Sequence, residues 1–407
     1  MPLAAAALAL AGPAAAQWTQ WGGPGRDFRI PEADLADTWK DGEPRVVWER
    51  ELGNGNAALV VGGGRVFAIA GDTDGERERV LALDAHTGRL LWERAYGVSY
   101  AAFRADYGGP HATPLIAGDR LITVSIDAQV HAFALADGEP LWSRDLVADH
   151  GVDLPQSGYA ASPLAWGELV LLPGTGGAGD AAIALRRENG RTAWARHAFA
   201  SSHASPLLVR LGDRDHAVFH GMNRLVGLDP GTGELLWQER LRTDAMDNVS
   251  FSPLWDPERG QLYVSQAYDR IGARALRLVE DEGGWRVDEV WTNRRLKIEH
   301  GNAVLAGGRL YGSDGGDSAF LVGVDARDGD TVFKQRGIPK ATFLAAGDKL
   351  LILDEDGVLY LARGGDGGLD VLAQRKVLEY NAWTVPTLVG NRLYLRDRYR
   401  IAALELP

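Results

Sequence analysis

The chain has 407 residues, 45% of them hydrophobic, with a formal charge of -12, 51 glycines, 13 tryptophans and no cysteine. The acidic balance and the lack of any basic run argue against nucleic acid or an anionic membrane surface as a partner, because binding phosphates needs concentrated Lys and Arg. Without cysteine there is no disulfide framework, no thioether-attached haem and no residue to acylate at a cleavage site; abundant Gly and Trp point to many short strands and turns, hence an all-β chain.

In chain order, residues 1–16 ("MPLAAAALALAGPAAA") read as a signal peptide, a short apolar stretch closing on small residues with cleavage after Ala16. That places the mature protein in the periplasm or outside the cell. No later apolar run is long enough to cross a bilayer, so no membrane anchor is expected, and the protein is expected to be a monomer. Residues 17–44, rich in Pro and Gly, are predicted to form an extension lying on the outside of the fold. "PRVVWEREL", from Pro44, is then a lone aromatic strand.

From there the chain repeats. "GRLLW", "GEPLW", "GRTAW" and "GELLW" end at Trp92, Trp142, Trp194 and Trp237, each a tryptophan four residues after a turn glycine. With Trp48 and Trp291 the spacings are 44, 50, 52, 43 and 54; "GDTVF" places Phe333 42 residues further on, and at Gly368 the same hairpin carries Leu372 instead. Within each unit a polar loop leads to a short strand ("HATPLIA", "ASPLAW", "HASPLLV", "FSPLWD"), then to a second such as "RLITVS" or "KLLILD", and to a third such as "RVLALD". Turns such as "DAHTG" and "DPGTG" then deliver the aromatic strand, Asp bonding its own backbone and Gly accepting positive φ. Four strands per unit at this period predict an all-β, eight-bladed β-propeller of four-stranded antiparallel blades with tryptophan docking motifs, residues 45–407. A flat indole on each outer strand would cover the gap to the next sheet while its N–H finds a carbonyl. The last repeat stops at its third strand ("YRIAALELP"), so the N-terminal strand is expected to pair with the C-terminal blade and close the ring.

The repeats "LDAHTGRLLW" and "LDPGTGELLW" resemble the pyrroloquinoline-quinone (PQQ) repeat of the quinoprotein alcohol dehydrogenase-like superfamily. The leader "WTQWGGPGRDF" also resembles the start of small exported PQQ-like propellers. The superfamily includes quinone-dependent alcohol dehydrogenases and a non-enzymatic outer-membrane assembly lipoprotein. This chain lacks the adjacent cysteine pair of the former and the acylated cysteine of the latter.

In such a ring the loops leading into the innermost strands converge on one mouth of the channel. They carry His111, Tyr159, His203, Asp247, Asn248, Glu299, His300, Asn302, Lys340, Asn381 and Trp383. Glu299 and Asn302 with Asp247 or Asn248 offer the oxygen ligands Ca²⁺ prefers, and the resemblance implies such an ion beneath a PQQ; the candidates for holding the quinone are Trp383, as a stacking floor, with Lys340, Asn381 and Tyr159. His111, His203 and His300 with Glu299 could instead bind a transition metal or do acid–base work on a polymer. The same residue types also suit capping of strand ends. The expected function is ligand or partner binding at the mouth, the ligand small or polymeric. A PQQ- and Ca²⁺-dependent dehydrogenase of alcohols or sugars and a periplasmic protein-interaction scaffold are the alternatives.

Overall fold

The computed structural model describes residues 17–39, 43–72, 74–99, 108–155, 157–174, 180–200, 202–241, 249–267, 272–282, 284–298, 301–314, 320–379 and 381–407. They form eight blades of four antiparallel strands each, spanning in chain order 60–97, 115–145, 164–196, 207–240, 254–293, 303–335, 341–376 and 387–405, the seventh extended by one short parallel strand, Arg29–Ile30. In the eighth, the outer strand is Arg45–Glu51, paired antiparallel with Arg400–Glu405, so the two ends of the chain close the ring in one blade as expected. One short helix, Leu146–His150, follows blade 2; Asp145 caps it by accepting from Ala148 N and Gly151 ends it at φ 62°. Among the described residues no helix is long and apolar enough to cross a membrane.

The tryptophan–glycine spacing has a specific cause. A Cβ placed on Gly88, Gly138, Gly190, Gly233 or Gly329 would lie 2.5–2.6 Å from the indole of Trp48, Trp92, Trp142, Trp194 or Trp291 respectively. Each turn glycine therefore accommodates the tryptophan of the preceding blade, not the one that follows it in sequence. The indole N–H of those residues donates to Ala85, Leu135, Arg187, Pro230 and Ala326 carbonyls, at 3.0–3.4 Å, in the turn of the next blade. Blade 4 departs from the pattern: Trp237 donates to His216 Nδ1 at 2.9 Å, and the imidazole stands edge-on to Trp285, 4.7 Å between centroids. Burial pushes His216 down to about 4, so it stays neutral and can accept that bond. Gly233→Ala is expected to cost about 2–4 kcal/mol, combining a left-handed backbone (φ 72°) with a methyl driven into Trp194; urea unfolding of the variant checks this.

Near the axis the repeated "A-[ST]-P" loops are blade-to-blade latches. Ala58 N–H donates to Thr113 Oγ1 (3.1 Å), Thr113 N–H to Ser162 Oγ (2.9 Å), Ser162 N–H to Ser205 Oγ (2.9 Å) and Ser205 N–H to Ser252 Oγ (3.0 Å). The ring continues where Asn302 pairs with the Phe343 backbone and Thr384 Oγ1 donates to Asn56 O (3.1 Å). The hydroxyls of Thr113, Ser162, Ser205 and Ser252 supply acceptors that the inner-strand ends would otherwise lack, and that of Thr384 supplies a donor.

The extension after Ala16 does not lie on the outside. Trp18 exchanges backbone bonds with Val61 of blade 1 (2.9 and 2.8 Å), while Thr19 O accepts from Ile116 N of blade 2. Trp21 Nε1 donates to Ser252 Oγ in the loop leading into blade 5 (3.3 Å), and Arg26 donates to Ser162 and Pro163 carbonyls leading into blade 3. Arg29–Ile30 then pairs with the inner strand Ala341–Ala346 of blade 7. Blades 1 and 5, and blades 3 and 7, face each other across an eight-membered ring, so a segment touching all four runs through its centre. Residue 18 runs against the inner strand of blade 1 and residues 29–30 run with that of blade 7. The segment is thus a hairpin plug whose turn, residues 20–27, points toward the leading loops. Its aromatic side chains explain the placement: Trp18 and Phe28 are each only 2% exposed, and apolar area of that size is retained in water only at a cost. On the opposite face the plug is fastened by Asp37, which pairs with Lys349 (3.0 Å) and Arg363 (2.9 Å).

Candidate functional site

With the axis plugged, the described leading loops surround the turn of the hairpin. In that turn Gly23 N–H donates to Gln20 O, Arg26 N–H to Gly23 O and Phe28 N–H to Gly22 O. Gly22 (φ 74°) has no room for a side chain, since a Cβ would sit 2.8 Å from the Arg26 backbone. Trp21 packs edge-on against Phe28, 5.0 Å between centroids, which fixes its ring in that turn.

On the wall, the structure brings Lys340 and Trp383 together in a shallow, open depression with room for about one water molecule, completed by Gly301, Ala341, Thr342 and Ala382. Blades 6, 7 and 8 each supply part of it. Glu355 organises the depression: its carboxylate accepts from Trp383 Nε1 (3.2 Å), its N–H donates to Lys340 O (2.7 Å) and its carbonyl accepts from Ala382 N (3.1 Å). Asn381 is exposed beside it in the chain.

The other candidates are placed differently. Tyr159 is 1% exposed, and its hydroxyl donates to Pro173 O (2.9 Å) in the core between blades. Asn302 is equally buried; its Nδ2 donates to Phe343 O (2.8 Å) and its Oδ1 accepts from Phe343 N (2.9 Å), so the amide joins blade 6 to blade 7. His111 and His203 are half-buried at equivalent positions in the leading loops of blades 2 and 4. Asp247, Asn248, Glu299 and His300 lie outside the described residues, as do the stretch before Gln17 and its cleavage position. Among the described residues no group of three or more His, Cys, Asp or Glu could hold a metal ion.

These positions bear on PQQ and Ca²⁺. The Lys340–Trp383 depression has room for about one water molecule, far less than a cofactor-sized ligand needs, and Tyr159 and Asn302 have their polar ends engaged by backbone. The described residues alone do not fit a three-ring tricarboxylate quinone.

Sequence reasoning missed two groups of residues. One is the turn of the hairpin, Trp21 and Arg26, for which the clustered aromatics of "WTQWGGPGRDF" were the available signal. The other lies between blades 1 and 2: Glu78 accepts from Ile126 N (2.9 Å) and Tyr96 Oη (3.1 Å), while Asp127 accepts from Ser99 N (2.8 Å) and Gln129 Nε2 (2.9 Å). His131 stacks on Tyr96 at 3.8 Å. Burial, with Asp127 nearby, pushes Glu78 up to about 8 despite those donors, and burial pushes His131 down to about 4. No local spacing announces this cluster.

The family profile described as outer membrane protein assembly factor BamB matches residues 38–107 and 76–335. Among solved structures the chain is similar to BamB from Moraxella catarrhalis, at 16% identity and TM-score 0.62, over 90% of this chain and 98% of that one. A europium-containing methanol dehydrogenase aligns at 12% identity and TM-score 0.55, over 96% and 98% of the two chains. The quinohemoprotein alcohol dehydrogenase ADHIIG from Pseudomonas putida HK5 aligns at 12% and 0.56, over 96% and 80%. At such identities the likeness shows the fold alone. No curated protein matches the chain significantly in sequence.

Proposed function

The chain belongs to the family of outer membrane protein assembly factor BamB, and from that premise we propose that it is an exported, monomeric binding protein whose ligand or partner docks in the mouth of the propeller. The observation that supports this reading is the turn of the plug lying across the axis at the leading loops, with Lys340 and Trp383 of blades 7 and 8 sharing a shallow depression on the same side of the ring. A closed axis also means that a ligand enters and leaves by the same face. Export predicts that the mature protein isolated from the periplasm or medium begins at Gln17.

Fluorescence titration against a panel of amino acids, small carboxylic acids and sugar acids tests the site. A ligand held at the depression is expected to bind at least about tenfold more weakly to Lys340→Ala and to Trp383→Ala, the loss of one charged or stacking contact. Equal binding by both variants contradicts the assignment. The second reading, a PQQ- and Ca²⁺-dependent dehydrogenase, draws support from the pairing of Lys340 with Trp383. Reconstitution with PQQ and Ca²⁺ is expected to give neither bound-quinone absorbance nor dye reduction with alcohols or sugars, and either signal would replace the binding-protein reading with the enzymatic one. A protein-interaction role, suggested by the family, predicts partner capture that depends on exposed blade faces and survives His111→Ala and His203→Ala.

A further inference from the structure

A hydroxyl, an imidazole and a carboxylate stand in line on the outer rim between blades 2 and 3. The helix Leu146–His150 follows the outer strand of blade 2, and its fully buried Leu146 seats it on the fold. His150 Nδ1 lies 3.1 Å from Asp180 Oδ2, and its Nε2 lies 3.1 Å from Thr192 Oγ1. Asp180 precedes the third strand of blade 3, Ala182–Arg186, and Thr192 opens its outer strand, Thr192–Arg196. Blade 2 also holds the hairpin that carries Thr192: Trp142 Nε1 donates to Arg187 O (3.0 Å) and Arg144 Nε to Gly190 O (2.9 Å). The His150 side chain is 7% exposed, whereas Thr192 is exposed, so the imidazole is shielded while solvent reaches the threonine.

The partners dictate where the protons sit. A carboxylate only accepts, so Nδ1–H donates to Asp180; the lone pair of the imidazole is left on Nε2, and the Thr192 hydroxyl donates to it. A hydroxyl within hydrogen-bond reach of a base that a third group orients is the arrangement that activates a nucleophile. Blade 6 supplies an internal contrast. Thr331 opens its outer strand as Thr192 opens that of blade 3, each at the same irregularity of register. Thr331 Oγ1, however, accepts from the Asn293 amide at the end of blade 5 (2.9 Å). A latch between blades needs only such a neutral amide, which cannot take up the proton of a hydroxyl. Blade 3 has an imidazole backed by a carboxylate at the same place.

We propose that Thr192 is a nucleophile toward small esters, with His150 as its general base and Asp180 as the residue that positions the imidazole. The site uses none of the residues of the mouth and goes beyond a binding role. Thr192 Oγ1 attacks the carbonyl carbon of the ester while its proton passes to His150 Nε2. The electron pair pushed onto the carbonyl oxygen returns as the bond to the leaving alcohol breaks, and the imidazolium gives its proton to that alcohol. Water, deprotonated by the same nitrogen, then attacks the acyl-threonine, releases the carboxylic acid and restores the hydroxyl.

Incubation of the full mature chain with p-nitrophenyl acetate tests the proposal, with nitrophenolate release followed by absorbance and the acetylated position by peptide mass spectrometry. The expected result is acetyl on Thr192 and not on Thr331. Thr192→Val is expected to lower the release rate at least about tenfold, and Thr192→Ser, which keeps the hydroxyl, to retain acetylation. His150→Gln still offers a hydrogen bond to Thr192 but cannot act as a base, so acetylation is lost while the melting temperature stays near that of the wild type. Asp180→Asn, which no longer fixes the proton on Nδ1, lowers the acylation rate, and Asp180→Glu recovers part of it. Release by Thr192→Val as fast as by the wild type overturns the proposal, because another group then attacks the ester. Acetylation of Thr192 that survives His150→Gln also overturns it and leaves the contact as a latch between blades.

Discussion

Trp18→Ala is expected to lower the stability of the protein by about 3–5 kcal/mol, the usual cost of truncating a large buried aromatic. Trp18 is 2% exposed, lies against the left-handed Gly23, and is held to Val61 by two backbone bonds that the substitution leaves in place. The cavity therefore opens inside the ring, between the plug and the inner strands, where neighbouring side chains cannot easily close it. Removing residues 17–39 altogether is expected to cost more, because Phe28, Leu35 and Trp39 leave the core with it. Denaturant unfolding of the point variant gives the number. A loss below about 1 kcal/mol would mean that the aromatic residue is solvated in solution.

Glu78→Gln is expected to have the opposite sign. The carboxyl is 1% exposed, and burial raises it to about 8 from an ordinary value of 4.5. Between those two pH values the folded chain holds a proton that the unfolded chain has released, so stability falls as pH rises from about 4.5 to 8 and the full cost is present above that. The groups facing Glu78 do not cancel this trend: Tyr96 stays protonated, His131 is neutral above about 4, and Asp127 repels the ionised form. The substituted amide cannot ionise, and its oxygen can still accept from Ile126 N. The variant is expected to match the wild type near pH 4.5 and to exceed it by about 4 kcal/mol at pH 8.5. Urea unfolding at the two pH values checks this, and an unchanged pH profile would place the ionisable burden elsewhere.

The ring is legible because its repeats obey a geometric rule visible in one dimension. Trp48, Trp92, Trp142, Trp194 and Trp291 meet turn glycines one blade on, and any such contact must recur at the blade period. Closure is legible for a related reason, since "PRVVWEREL" lacks inner strands and "YRIAALELP" lacks an outer one. The extension misleads because Pro and Gly ordinarily mark a surface loop. Gly22 and Gly23 instead serve a tight turn inside the channel, and two tryptophans and a phenylalanine within eleven residues argue for burial. The leading loops illustrate a different limit. Thr113, Ser162, Ser205 and Ser252 have the residue types of a binding ring, yet their hydroxyls latch blades together, whereas Lys340 and Trp383, 43 residues apart and unmarked by any motif, share a depression. Side-chain type alone does not distinguish a hydroxyl aimed at backbone from one aimed at solvent. Glu78 and Asp127 meet only because blades 1 and 2 stack, and nothing in either strand's alternation signals it.

The central claim, that the N-terminal hairpin fills the propeller axis, is tested most directly by residue-resolved amide hydrogen exchange. The N–H groups of Val61, Ile116, Ala345 and Gly347 lie on the free edges of inner strands, and their acceptors are Trp18, Thr19, Phe28 and Ile30 of the plug. With the hairpin in the channel, all four are expected to be protected as strongly as amides inside the blades. Exchange of these four at the rate of solvent-exposed edge amides, with the blade interiors still protected, would show that the segment lies outside the channel.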